Sequence, residues 1–383
     1  MSELLPQRVL MTVDTVGEVW TYALDLARAF AAQGIEVALA AMGEPLSDSQ
    51  RQAVDRIPRL RVFESGFRLE SLKEAARDVE RASEWLLRLE HRIGPDVIHL
   101  NSPVHAALPW SAPKLIVAHA CRLSRWSAVQ SEPLPESWDD YRREVQAGLA
   151  AADLIIAPSR AALAALAEHC GPLPCSRIIP HGRDPQLFKP AAKEEMIFAS
   201  GRLTDEAKNL KTLEKIAPDL PWPIYLAGES QHAGEAGAHG TRLLGHLSPR
   251  ALAAWLGRSA IYALPARYEP LGLPALEAAL AGCALVLGDI PSLRETWRNR
   301  AIFVPPDDTA AWRNALLALT VEPEKRQSLA AAARARALEL TLERMVTAYL
   351  AAYGDLLARP GVPEEDLEVA AFDLPQAATP AAF

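Results

Sequence analysis

The feature that most constrains the fold is a long alternation of short apolar runs with longer amphipathic stretches. The first apolar run, Arg8–Val13, precedes a polar turn and a helical stretch over about Val19–Gln33. Gly34 ends that helix, and a second run follows at Ile35–Ala40. Continuous apolar runs are typical of parallel strands buried on both faces, and parallel strands need helical connections. The alternation therefore predicts an α/β protein built on doubly wound parallel sheets.

The alternation occurs twice, and 383 residues are too many for one ordinary hydrophobic core. A polar segment from His181 to about Glu194, interrupted by Pro185 and Pro190, predicts a linker between two domains. Helices of the first series are predicted over about Ser71–Arg92 and Glu136–Ala151, and after a cap at Ser159. Its further strands are predicted at Arg61–Phe63, Asp96–Leu100, Lys114–His119, Asp153–Ala157 and Arg177–Pro180. Strands of the second series are predicted at Met196–Ala199, Pro223–Ala227, Arg242–Leu244, Ile261–Leu264, Ala284–Leu287 and Ile302–Val304.

The predicted domains are residues 1–185 and 186–342, followed by a helix over about 343–358. Residues 359–383 carry five acidic residues, one arginine and four prolines, a composition that favours disorder.

Charge and composition exclude some classes of partner. The formal net charge of −8 argues against nucleic acid or an anionic membrane as the main partner. No uninterrupted apolar run approaches about 18 residues, so no integral membrane segment is expected. The first residues do not resemble a secretory signal, and we expect a cytoplasmic protein. The oligomeric state is left open by the sequence.

The cysteines and acidic pairs do not form a recognisable metal motif. Cys170 and Cys175 have only His169 and His181 as candidate further ligands, which is a poor basis for a zinc site. No Asp-x-Asp pair is present in the chain. We therefore predict neither a metal ion nor another cofactor.

A turn in the second half has the properties of an anion-binding site. An apolar run at Ile261–Pro265 enters the turn Arg267–Pro274, which opens a predicted helix. Gly272 allows close approach of a ligand to the backbone, and a proline suits the first helical turn. The free N–H groups of a helix start, together with the helix dipole, favour an anion in front of them.

Two carboxylates flank this turn, because Glu269 and Glu277 are separated by 277 − 269 = 8 positions. Acidic side chains repel a phosphate unless they bind hydroxyl groups instead. A nucleotide-activated sugar meets both needs, since its diphosphate suits the backbone amides and its hydroxyls suit the carboxylates. The turn therefore predicts a sugar-nucleotide site.

The turn resembles the E-x7-E motif of the family four retaining glycosyltransferases, which have the GT-B fold. Ala199–Leu210 resembles the Gly-Arg-Leu…Lys segment of that family, and Ile178–Phe188 resembles its interdomain stretch. The resemblance implies two Rossmann-like doubly wound domains that face a central cleft. It also implies that the last helix crosses back onto the first domain, and that no metal bridges the diphosphate.

The resemblance implies that Arg202 and Lys208 bind the diphosphate, with main-chain N–H groups of Leu271 and Gly272. Judged alone, the two cations read as ordinary surface residues among the 40 lysines and arginines of the chain. The family pattern further implies that Glu277 binds the nucleotide ribose and Glu269 a hydroxyl of the transferred sugar. Without it, these acids read as a helix-start residue and a solvated loop residue.

Other family positions are His119, near the donor sugar, and Gly245 with His246, which read the base mostly through the backbone. A histidine after an apolar run is otherwise a common core residue. Gly17 lies in the first strand-to-helix loop, where ligands bind in such sheets. The family has a second glycine there, and this chain has Glu18, which is expected to repel a diphosphate. Acceptor contacts are expected from the first domain, with candidates Trp20, Arg122, Arg125, Trp126 and Trp138.

These observations predict a metal-independent retaining glycosyltransferase that moves a sugar from a nucleoside-diphosphate sugar to a hydroxyl-bearing acceptor, such as a saccharide, a lipid-linked sugar or a small molecule. Two alternatives stay open: a sugar-nucleotide epimerase, and a non-catalytic sugar-nucleotide-binding protein, which the Glu18 departure suggests. The sugar, the base and the acceptor are not evident from the sequence.

Overall fold

The computed structural model describes residues 4–67, 76–130, 132–173, 175–228 and 240–358. The predicted disordered tail at 359–383 lies outside the described residues, as do the first residues of the helix predicted from Ser71.

The first domain is built on a parallel sheet, as predicted. Its strands in the described part of the chain are β1 (Arg8–Asp14), β2 (Glu36–Met42), β3 (Leu60–Glu64), β4 (Val97–Leu100), β5 (Lys114–Val117), β6 (Leu154–Ala157) and β7 (Ser176–Ile178). The spatial order is β3-β2-β1-β4-β5-β6-β7. Because the chain order reverses between β1 and β4, a ligand is expected beside the carboxyl ends of these two strands.

The helices of this domain are numbered in chain order. They are α1 (Glu18–Ala32), α2 (Asp48–Asp55), α3 (Ala76–Ile93), α4 (Arg122–Val129), α5 (Asp139–Ala151) and α6 (Arg160–Cys170). Helix α2 was not predicted, because it is short and none of its residues is buried. Its signal is the capping box formed by Ser47 and Gln50. Helix α4 was also missed, so Arg122, Arg125 and Trp126 lie on a helix.

The second domain contains a parallel sheet of similar design. Its strands among the described residues are β8 (Glu194–Ser200), β9 (Ile224–Ala227), β10 (Thr241–Gly245), β11 (Ser259–Leu264), β12 (Ala284–Gly288) and β13 (Ile302–Val304). They lie in the order β10-β9-β8-β11-β12-β13, so the topological switch point is between β8 and β11. Its helices among the described residues are α7 (Lys211–Ile216), α8 (Pro249–Arg258), α9 (Leu273–Leu280), α10 (Pro291–Trp297), α11 (Thr309–Val321) and α12 (Pro323–Ala337), and α13 (Leu342–Leu357) follows them.

Helix α13 packs on the first domain rather than the second. Its buried side chains, among them Met345, Tyr349 and Tyr353, belong to the core that covers one face of the first sheet. The hydroxyl of Tyr353 lies 2.6 Å from Nδ1 of the buried His99 on β4. The chain therefore crosses between the domains a second time, as the resemblance implied. None of the helices in the described ranges is both long and apolar enough to span a bilayer.

Candidate active site

The turn between β11 and α9 is held in one conformation by Glu269. Gly272 has φ of +70°, in the left-handed region, and forms the N-cap of α9. Its N–H donates to Oε1 of Glu269 at 2.9 Å. The Ser292 hydroxyl donates to the Glu269 carbonyl oxygen at 2.8 Å. The resemblance implied that the Gly272 N–H contacts the diphosphate, and in this structure that N–H is bonded to the Glu269 carboxylate.

Lys208 lies against the same carboxylate from the loop between β8 and α7. Its Nζ is 2.5 Å from Oε2 of Glu269 and 2.8 Å from Oε1 of Glu18. Asn209, which follows it with φ of +54°, fixes the loop by donating from Nδ2 to the Pro306 carbonyl oxygen at 2.9 Å. One ammonium group therefore joins the Glu269 turn to the start of α1 in the first domain.

Burial and charge act in opposite directions in this cluster. Burial raises the pKa of the Glu269 carboxyl, and the adjacent Lys208 opposes that rise. Burial alone would lower the pKa of Lys208, but the Glu18 and Glu269 carboxylates outweigh it and raise that pKa. Only 14% of the Lys208 side chain and 1% of that of Glu269 are exposed. Lys208 therefore stays charged, and its charge is the main compensation for the buried Glu269.

Glu277 on α9 is buried and pairs with Arg183 of the linker. Nη2 of Arg183 lies 2.9 Å from Oε1 of Glu277, and Nη1 of the same guanidinium pairs with Asp25 on α1. Burial raises the pKa of Glu277 to about 7, although Arg183 opposes the rise. A buried arginine thus connects α9, the linker and α1.

Arg202 differs from Lys208 in its surroundings. Its side chain is 61% exposed and lies 3.9 Å from the Asp205 carboxylate, which also accepts a 2.6 Å bond from Arg125 of the first domain. The backbone of this loop packs tightly at Gly201 against Gly228, which follows β9, because a Cβ on Gly228 would lie 1.8 Å from the Gly201 carbonyl oxygen. The structure therefore places Arg202 on the same loop as Lys208, as predicted, but more exposed to solvent.

Gly245 is the last residue of β10 and His246 follows it, at the same edge of the second sheet. Gly245 has φ of +67°, and its carbonyl oxygen accepts from the Gly228 N–H at 2.9 Å. The His246 side chain is exposed. Leu271 is half-buried and packs against the core of the second domain.

His119 lies two residues past β5 in a buried polar cluster of the first domain. The Asn101 amide donates to the Thr12 carbonyl oxygen at 2.6 Å, so its Oδ1 faces His119 and accepts from Nε2 at 2.7 Å. This leaves Nδ1 of the neutral ring as an acceptor, with no partner in the described part of the chain. Burial, followed by the nearby His181 and His99, holds the pKa of His119 well below its usual range.

The rings around His119 fix its orientation. His181 stacks on it with 5.3 Å between centroids and 10° between planes, and Tyr22 meets it edge-on at 4.4 Å. His181, where the family has asparagine, lies at the start of the linker and is also neutral, because burial lowers its pKa to about 4. Asn101 and His181 were not predicted to support His119, because only the fold brings them together.

The first loop adopts the expected conformation for a glycine. Gly17 has φ of +93° and forms the N-cap of α1, which lets Glu18 begin the helix beside Lys208. Glu18 was expected to repel an anion. In the structure it also pairs with Lys208, a contact that the sequence did not reveal.

Further bonds join the two domains around the cleft. The Tyr268 hydroxyl accepts from the Cys121 N–H at 2.9 Å, and Glu295 of α10 accepts from the first two N–H groups of α6 at 2.9 and 2.8 Å. Gln130 donates to Glu206 at 2.9 Å. The two domains therefore lie closed on each other.

A cavity of about 330 Å³ remains between the domains. It borders Tyr268 and Glu269 on one side and α4 and α6 on the other, and alanine side chains form much of its wall. Among the acceptor candidates, Trp20 is buried in the core, Arg125 forms the interdomain ion pair, and Trp126 packs edge-on against Trp138 at 5.1 Å. These contacts give Trp20 a packing role and leave the acceptor contacts unassigned.

Comparison with known proteins supports the assignment of both domains. The family model described as Glycosyltransferase Family 4 matches residues 19–187, and the model described as Glycosyl transferases group 1 matches residues 183–336. A D-inositol 3-phosphate glycosyltransferase of Xylanimonas cellulosilytica is 25% identical over 90% of this chain and 93% of its own length. A glycogen synthase of Mycobacterium tuberculosis is 41% identical, over only 25% of this chain and 24% of its own length.

Solved structures show the same fold. A sucrose-phosphate synthase from Thermosynechococcus elongatus superposes with a TM-score of 0.78 at 19% identity, covering 92% of this chain and 99% of its own. The Anabaena protein HepE, solved in complex with UDP-glucose, gives a TM-score of 0.70 at 16% identity, with the same shares covered. The two family models favour a transferase over the epimerase and the binding protein. Since the two family models match successive domains and the fold agrees with both, the chain belongs to the family 4 glycosyltransferases of GT-B fold.

Proposed function

We propose that the protein is a retaining glycosyltransferase that needs no metal and transfers a sugar from a nucleoside-diphosphate sugar to a hydroxyl of an acceptor. The observation that carries the proposal is the cluster in which Lys208 and the Gly272 N–H hold Glu269 at the switch point of the second sheet. Parallel α/β sheets bind their ligands at such points.

In this proposal the diphosphate lies beside Lys208 and Arg202, at the start of α9. Both cations come from one loop and reach the same edge of the sheet, and the helix dipole adds positive potential there. These charges supply what a divalent cation would otherwise supply to the leaving phosphate. We propose a uridine nucleotide as the donor to test first, because HepE was solved with UDP-glucose.

The two carboxylates have separate roles in this proposal. Glu269 orients a hydroxyl of the transferred sugar, and Glu277 binds the ribose. Both oxygens of Glu269 are occupied, Oε2 by Lys208 and Oε1 by the Gly272 N–H, which makes it a poor nucleophile. Retention is then assigned to attack on the face from which the diphosphate leaves. In that step the acceptor oxygen bonds to the anomeric carbon, the bond to the diphosphate breaks, and a phosphate oxygen takes the acceptor proton.

His119 acts as a neutral hydrogen-bonding group in this proposal. Because Nε2 is bonded to Asn101, Nδ1 of His119 is available to accept a hydrogen bond from a sugar hydroxyl. The low pKa keeps the ring uncharged at neutral pH. The acceptor enters through the interdomain cavity, which borders Glu269.

The proposal is tested by incubating the protein with uridine, guanosine, thymidine and adenosine diphosphate sugars and measuring free nucleoside diphosphate, with and without a chelator. We expect release from one donor, unchanged by the chelator, with water replacing the missing acceptor. Glu269→Gln should abolish release. Glu84→Gln is the matched control, because Glu84 is exposed on α3 and pairs with Arg88 on its own helix. Release that requires a metal, or that survives in Glu269→Gln, would contradict the proposal.

A further inference from the structure

We propose that Glu18 is an internal anion that competes with the donor diphosphate for Lys208 and helps to hold the two domains together. The inference rests on the proposed function, because it takes Lys208 as a diphosphate-binding residue. It concerns a residue at which this chain departs from the family pattern, since Glu18 stands where the family has a glycine.

The geometry places Glu18 on the atom that the diphosphate needs. Glu18 begins α1 in the first domain, and its Oε1 lies 2.8 Å from Nζ of Lys208 in the second domain. Glu269 occupies a second side of the same ammonium group at 2.5 Å. An ammonium group has three N–H donors, so these two carboxylates leave one for any further anion.

Only one of the two carboxylate oxygens of Glu18 bonds to Lys208. Oε2 is buried and has no hydrogen-bond partner among the described residues. A buried carboxylate oxygen without a partner is unfavourable, and the Glu18 side chain is still 31% exposed, so it has a path back to solvent. Glu269 has no such freedom, because its side chain is only 1% exposed and is bonded at both oxygens. An incoming diphosphate should therefore displace Glu18 and leave Glu269 in place.

The same ion pair crosses the interdomain cleft, so its loss changes how firmly the domains are joined. The Arg125–Asp205 and Gln130–Glu206 bonds also cross the cleft, but the Arg125 side chain is 47% exposed and the Gln130–Glu206 bond lies at the surface. Surface pairs of this kind contribute little. Displacement of Glu18 by the donor therefore removes a part-buried charged link between α1 and the loop after β8, and it couples donor binding to domain movement.

The test compares the binding of nucleoside diphosphates to wild type, Glu18→Gln, Glu18→Gly and the control Glu84→Gln by titration calorimetry. The probes are the free diphosphates of uridine, guanosine, thymidine and adenosine, which lack a sugar. We expect one of them to bind both Glu18 variants about tenfold more tightly than wild type, because the competing anion is gone. The control should bind as wild type does. Small-angle scattering of the unliganded Glu18 variants should show a larger radius of gyration, with unchanged melting temperatures for the individual domains.

The outcomes separate this inference from the proposed function. Equal or weaker binding by both Glu18 variants would overturn the competition and leave the donor site intact. If neither wild type nor any variant binds a nucleoside diphosphate, the proposed donor site fails as well.

Discussion

Replacing Lys208 with methionine tests the charge cluster at the turn most severely. Methionine keeps much of the apolar stem but removes the ammonium group that bonds both Glu269 and Glu18. Removing one partner of a buried ion pair costs about 3–5 kcal/mol, because the other charge is left buried. We expect the lower end, about 3 kcal/mol, since Glu18 is partly exposed and Glu269 can take up a proton. For a domain of this size that corresponds to a fall of about 6–12 °C in melting temperature.

The loss should depend on pH in a defined direction. Lys208 is the largest influence that lowers the pKa of Glu269, so the variant raises the folded pKa further above the ordinary value of 4.5. Above pH 4.5 the folded variant then holds a proton that the unfolded chain releases, and its stability falls as the pH rises. Wild type and variant should therefore differ least near pH 5 and most near pH 8.

Thermal unfolding at several pH values measures this, with Lys208→Met/Glu269→Gln as the companion variant. The double variant has no buried charge to compensate and should recover at least half of the lost stability. A Lys208→Met protein that unfolds within about 2 °C of wild type at every pH would refute the account of the cluster. So would a double variant as unstable as the sum of the single variants.

Three further predictions concern the surroundings of the site. Gly272→Ala should lower the free energy of unfolding by only about 1–2 kcal/mol, because φ is +70° but no atom lies within 4 Å of the added Cβ. Gly228→Ala should unfold at a much lower temperature, because its Cβ would meet the Gly201 carbonyl oxygen. Equal melting temperatures of the two variants would contradict this. Asn101→Ala should lower turnover roughly tenfold, because it removes the bond that orients the His119 ring. It should leave the Kd of the nucleoside diphosphate unchanged, because the other Asn101 contacts, to Thr12 and His99, lie within the first domain. A matching loss of nucleotide affinity would count against it. Glu277 has a pKa of about 7 in the folded chain against an ordinary 4.5, so its contribution to stability is complete below pH 4.5 and is lost as the pH rises through 7. The melting temperature of wild type relative to Glu277→Gln should accordingly fall between pH 5 and 8, and a constant difference would show that the carboxyl is not buried in this way.

The sequence predicted the two parallel sheets because the buried strands are continuous apolar runs, and such runs are typical of parallel strands covered on both faces. It also placed Lys208 and Glu269 at one sheet edge, since strand-to-helix loops of parallel sheets meet there. It did not predict α2 or α4, which are eight residues long and bury little or nothing.

The sequence could not show contacts made across the cleft. Glu18 and Lys208 are 190 positions apart, and Arg183 reaches Asp25 over 158, so no local pattern indicates either pair. The Gly272 N–H was assigned to the diphosphate because the family resemblance implied that contact. A carboxylate three positions earlier accepts its hydrogen bond instead.

The most direct test of retaining transfer at this turn is time-resolved proton NMR of the sugar released from the active donor. An α-linked donor should first give the α-anomer, which then equilibrates with the β-anomer in solution, and Glu269→Gln should give neither. Initial release of the β-anomer, or an unchanged signal from Glu269→Gln, would contradict the account.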